Sequence, residues 1–144
     1  PVAGKILLIE QFRLPAHLSG MPGWQLELIA GLNDKDENPE EIARREAIEE
    51  ANCQLGELKL AYHYLLCPGM STETLYSYVA RFDSSAWTGD VHGLAIEYED
   101  IRASLHDVAD IPKILADGHT GNVILIVALQ WFLLNRDRLR AEWL

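Results

Sequence analysis

Glu46, Glu49 and Glu50 stand in the run REAIEE (Arg45–Glu50) at spacings suited to holding a metal. On a helix turning about 100° per residue they share an arc about 100° wide. Like charges so placed repel one another and cost the helix stability. A divalent cation removes that cost, and hard carboxylate oxygens are what Mg²⁺ or Mn²⁺ prefers. The crowding extends upstream through Asp34, Asp36, Glu37, Glu40 and Glu41. The plainer account is a solvated helix whose glutamates pair with Arg44 and Arg45, and composition alone favours it.

The element that would carry these carboxylates has clear limits. Asn38 can cap it, Pro39 suits its first position, and Glu41 falls where a capping box puts its carboxylate. Asn52 can end the helix in the left-handed conformation that Asn tolerates. Ala43, Ala47 and Ala51 are small enough to let the helix press against a sheet. Around it, Lys5–Glu10 reads as a strand that Gln11–Arg13 can prolong, and residues 15–23, with two prolines and two glycines, as a loop. Trp24–Ala30 alternates apolar and polar residues, as a half-buried strand does. Leu58–Leu66, Thr74–Phe82 and Ile101–Leu105 are further strands. Helices are expected over Asp110–Ala116 and from Asn122 to the end. Strands and helices mix without regular βαβ alternation, which implies an α+β layered domain.

The chain has 144 residues, enough for one domain with a sizeable core. A formal net charge of −10 argues against a partner gripped by phosphate neutralisation, so no nucleic-acid polymer is expected. An acidic protein still binds a small phosphorylated ligand when divalent cations lie between them. Cys53 and Cys67 lack zinc-site spacing and are expected as buried free thiols in a reducing cytosol. The longest apolar run, Val123–Leu134, is interrupted by Gln130 and falls short of the about 20 residues that span a bilayer, so no membrane partner is expected. The chain starts at Pro1 almost directly before a strand, and the expectation is that a natural N-terminal portion is missing.

Other chemistry-bearing residues form no convincing pattern. His63, His92, His106 and His119 are scattered, and Ser71-Thr72 has no evident base. Trp131 and Trp143 sit among apolar helix neighbours and are read as core or dimer packing. Arg136, Arg138 and Arg140 are read as a solvated face.

Exact spacing decides against the solvated helix. Gly31, five residues, Glu37, seven residues, Arg45-Glu46, Ala47, one residue, and Glu49-Glu50 resemble the Nudix box, whose pattern is G, x5, E, x7, R-E-U-x-E-E-x-G-U. Every charged position matches. Asn52 replaces the last glycine, and Ala47 is a small occupant of an apolar position. Outside the box, IEQFR, Pro68 sixteen residues beyond Asn52, the segment His92–Arg102 and the ending Val127–Leu144 look like bacterial ADP-ribose pyrophosphatases.

The resemblance implies a single Nudix domain over residues 1–144, an α/β/α sandwich with a mixed β-sheet between helices. It implies Mg²⁺-dependent hydrolysis of ADP-ribose to AMP and ribose 5-phosphate, with two or three Mg²⁺ per site and Mn²⁺ as a substitute. Two alternatives stay open: another nucleotide sugar such as GDP-mannose as substrate, or an ADP-ribose sensor that does not hydrolyse. Relatives of this type are cytoplasmic homodimers. Carried over by position, Glu46, Glu50 and the Ala30 carbonyl would bind metal, with Glu49 as a ligand directly or through water. Glu99 would reach the metals from the later acidic loop, and Glu97 would be the base that deprotonates the attacking water. Arg45 would orient the helix carboxylates. Arg13 would meet the substrate phosphates, with Gly69, Met70 and Glu73 completing the substrate contacts.

Overall fold

The computed structural model describes residues 4–85, 87–89, 91–92, 100–117 and 121–143. Strand β1 (Lys5–Phe12) is followed by helix α1 (Leu14–Leu18), β2 (Trp24–Glu27) and helix α2 (Pro39–Ala51). Next come β3 (Leu55–Leu65), β4 (Thr74–Phe82), the short β5 (Val91–His92) and β6 (Ile101–Asp107). A 3-10 turn at Val108–Asp110, helix α3 (Ile111–Ala116) and the long helix α4 (Val123–Trp143) complete the order.

The strands form a four-stranded sheet in the order β2-β1-β6-β5 and a separate β3-β4 hairpin sheet. Ile9 faces Glu27 on one side of β1 and Ala103 on the other, which sets the register of all three strands. Alternation along β1 then assigns the two faces. Ile9, with Ile101 and Ala103, packs against Ala47 and Ala51 of α2. Leu8 turns the opposite way onto Ile111, Leu125 and Leu129 of α3 and α4. A sheet between helices is therefore present, as expected. Every pairing among the described residues is antiparallel, where a mixed sheet was expected: both neighbours of β1 run against it.

The α2 boundaries follow the local chemistry. The Asn38 side chain accepts from Glu40 N–H at 2.9 Å, and Asn52 sits at φ 46°, ψ 42°. Asn52 and Cys53 N–H groups close on the Ile48 and Ala47 carbonyls, satisfying helix-end acceptors. Glu41 contributes its backbone N–H to the Asn38 carbonyl; a carboxylate bond back to the cap is not among the described contacts. Ala47 and Ala51 are 1% and 0% exposed, so the small residues do bring this helix against the sheet.

Three local expectations change. Residues 14–18 form a short helix that overlaps the start of the expected loop, because a proline in a helix's first turn sacrifices no intrahelical bond. The second strand stops pairing at Glu27, three residues early. Cys67 is exposed while Cys53 is buried; both are free. The hairpin connection that carries Cys67 turns outward, away from the apolar layers. Trp131 is buried and meets Tyr62 edge-on, so it packs the core.

Candidate active site

The face of the sheet covered by α2 gathers most of the residues singled out. Arg13 follows β1 on the same alternation as Leu7 and Ile9, and Glu27 lies opposite Ile9. The chain then leaves the sheet through Leu28–Gly31 and meets the side of α2 carrying Glu46 and Glu50. An open groove of about 2240 Å³ runs past this junction, lined among others by Arg13, Gly31, Arg45, Glu46, Glu50 and Glu73. The groove exceeds the roughly 300–1,000 Å³ of small-molecule pockets, because it continues between the hairpin and α4.

Glu50 is 4% exposed and accepts a hydrogen bond from Ala30 N–H at 3.1 Å. Glu46 lies against Gly31: a Cβ at that glycine would overlap its Cγ, Cδ and carboxylate oxygen. The glycine of the box is thus required by the close approach of a carboxylate to backbone, since Gly31 is not among the residues at positive φ. Arg45 ties the acidic set together. Its guanidinium lies 2.9 Å from Glu46, 3.2 Å from Glu49 and 3.8 Å from Glu37. Desolvation pulls the Arg45 pKa down, but Glu46, Glu49 and Glu37 outweigh it and raise it above its ordinary value. The helix face is therefore ion-paired by Arg45, whereas Arg44 donates to the Leu55 and Gly56 carbonyls and anchors β3.

The donor set is all hard oxygen, and the missing side chain at Gly31 is what lets the Glu46 carboxylate lie against the backbone. The residues fit Mg²⁺ by the chemistry of their donors. Among the described residues no three acidic, His or Cys side chains already converge as a metal cluster. Glu97 and Glu99 lie outside the described residues. Ala30 meets Glu50 through its N–H.

The substrate-side residues divide. Arg13 and Glu73 line the groove. Arg13 also holds Glu27 in a two-point pair, Nε to Oε1 at 2.9 Å and Nη2 to Oε2 at 2.7 Å. Glu27 escaped the sequence reading. It sits at an inward position of an alternating strand, and a carboxylate there was the available signal. Glu73 is exposed at the foot of β4, its N–H donating to Ser71 Oγ at 3.0 Å. Gly69 and Met70 lie in the outward turn closed by Met70 and Ser71 N–H groups on the Cys67 carbonyl. Met70 is 90% exposed, and neither residue lines the groove.

The NUDIX domain model matches residues 2–124. An ADP-ribose pyrophosphatase of Escherichia coli (strain K12) is 36% identical over 143 residues, covering 99% of this chain and 68% of that protein. An ADP-ribose pyrophosphatase of Haemophilus influenzae is 34% identical over 146 residues, with 99% and 67% covered. A GDP-mannose pyrophosphatase of Yersinia enterocolitica is 34% identical over 129 residues, with 89% and 66% covered.

Proposed function

Because the chain belongs to the Nudix family of hydrolases, we propose that it cleaves the pyrophosphate of ADP-ribose to AMP and ribose 5-phosphate with Mg²⁺. The observation that carries this reading is the seating of Glu46 against Gly31 beside a buried Glu50, with Arg45 holding the neighbouring carboxylates. The similarity to ADP-ribose pyrophosphatases over 99% of the chain supports the substrate.

Each residue then has a definable task. Glu46, Glu50 and the Ala30 carbonyl would hold the ion, with Glu49 and Glu99 as further carboxylates for it. When bound, Mg²⁺ screens the diphosphate charge and lowers the pKa of a bound water. Arg45 restrains the carboxylates so that their mutual repulsion does not splay them. Arg13 offers a guanidinium to the phosphates, and Glu73 lines the same groove. Glu97 accepts the proton of the attacking water. The homodimer and the cytoplasmic setting belong to the same proposal. No described helix is long and apolar enough to cross a membrane.

A GDP-mannose substrate is the second reading, supported by the Yersinia relative. Chromatographic product analysis with ADP-ribose and with GDP-mannose, each with and without Mg²⁺, separates the two. Mg²⁺-dependent AMP from ADP-ribose is expected. Cleavage of GDP-mannose alone would overturn the substrate, and binding of ADP-ribose without cleavage would mark a sensor.

A further inference from the structure

We propose that Glu27 is a positioning residue for Arg13 and, through it, sets how tightly the groove holds a diphosphate. The inference rests on the reading of Arg13 as the phosphate contact given above.

The pair is unlike the surface ion pairs of this protein. Glu27 has a side chain only 9% exposed, while Asp107, paired with Lys5 on the neighbouring strand, is 57% exposed. A carboxylate so buried requires a compensating partner, and Arg13 supplies one through two parallel N–H···O bonds. The Arg13 side chain itself is 47% exposed and lines the groove that also contains Glu46 and Glu50. It is anchored at both ends, because its backbone N–H donates to the Gly23 carbonyl at 2.7 Å. An arginine otherwise loses many rotamers when it meets a ligand. Held by a buried two-point contact, it has lost that freedom before the ligand arrives, which is how preorganisation improves affinity.

A role confined to stapling β1 to β2 is the competing account. The two strands already share four registered residue pairs, Ile9 to Glu27 through Phe12 to Trp24. That ladder is built from backbone groups, so replacing the Glu27 carboxylate removes none of its bonds. A staple and a positioning residue then differ in one respect: only the latter requires Arg13 for its effect on ligand affinity.

The test is calorimetric titration of the full chain with ADP in the presence of Mg²⁺, for the unaltered protein, Glu27→Gln, Arg13→Ala and the double variant. Glu27→Gln is expected to weaken Kd about tenfold, and to change it by less than about twofold once Arg13 is already alanine. An unchanged Kd in Glu27→Gln, or an equal loss in both backgrounds, overturns the proposal, as does failure of the unaltered protein to bind ADP. If Glu27→Gln does not fold, Glu27→Asp keeps the charge and withdraws it by one methylene. Its Kd should weaken severalfold, and an unaltered value overturns the proposal equally. Hydrolysis is measured separately. Coupled binding without AMP release from ADP-ribose would remove the hydrolytic reading and keep the role of Glu27. Hydrolysis with Glu27-independent binding would do the reverse.

Discussion

Replacing Gly31 by alanine separates chemistry from folding in a single methyl group. The added Cβ would overlap the Cγ, Cδ and carboxylate of Glu46, and nothing nearer than that side chain opposes it. Gly31 does not occupy the left-handed region, so alanine is free of backbone strain there. The flexible carboxylate must therefore move, and the backbone need not. Two small stability effects compete. Loss of unfolded-state freedom favours alanine by about 0.4–1 kcal/mol. Disturbing the partly exposed Arg45–Glu46 pair costs at most about 1 kcal/mol. The net change is within about 1 kcal/mol, a Tm shift of about 4 °C or less for a chain of this size. Activity should respond far more. Displacing a reacting group by about 1 Å can cost about 100-fold in rate, equal to roughly 2.7 kcal/mol of transition-state stabilisation. The assay pairs thermal unfolding with initial rates of AMP release from ADP-ribose at saturating Mg²⁺. Turnover within about threefold of the unaltered protein would refute the placement of Glu46 in the chemistry. A stability loss near 3 kcal/mol would instead show Gly31 to be a packing residue.

Three further outcomes follow from particular residues. Glu97→Gln should lower kcat by about 100-fold or more with an unchanged Tm, and near-normal turnover would remove Glu97 as the base. Asn52→Ala should destabilise α2 by about 1 kcal/mol, because a Cβ without a local polar partner is strained at φ 46°, whereas Asn52→Gly should be neutral or stabilising; denaturant titration of both distinguishes them. Burial pushes the Cys53 thiol up to about 11 from 9.0, so native protein at pH 8 should be alkylated at exposed Cys67 alone, with Cys53 reacting only after unfolding. In the linkage, the unfolded thiol ionises first, so this contribution to stability is complete below pH 9 and declines between pH 9 and about 11. Peptide mapping after alkylation and a Tm series across that window test both statements.

Local chemistry made much of the molecule legible in advance. Helix α2 could be bounded at Asn38 and Asn52 because capping and left-handed termination depend on residues adjacent in the chain. Strand β4 matched its expected bounds, Thr74 and Phe82, at both ends. The spacing of Gly31, Glu37, Arg45, Glu46, Glu49 and Glu50 was enough to identify the family, since one helix carries four of them at fixed angles. The short helix α1 was hidden because Pro15 reads equally as a loop or as a helix's first turn.

What the sequence by itself determined, then, was the acidic helix, its limits, and the family to which its spacing belongs. Tertiary structure alone decided which surface that helix would meet. Strand register turned Arg13 and Glu27 toward α2 and paired them across fourteen positions of sequence, although each looks ordinary alone. It also brought Gly31 against Glu46 and Ala30 against Glu50, and sent Gly69 and Met70 outward. The reason is physical: capping and helical spacing act over a few residues, whereas burying a carboxylate depends on what the far strand presents once the sheet has closed.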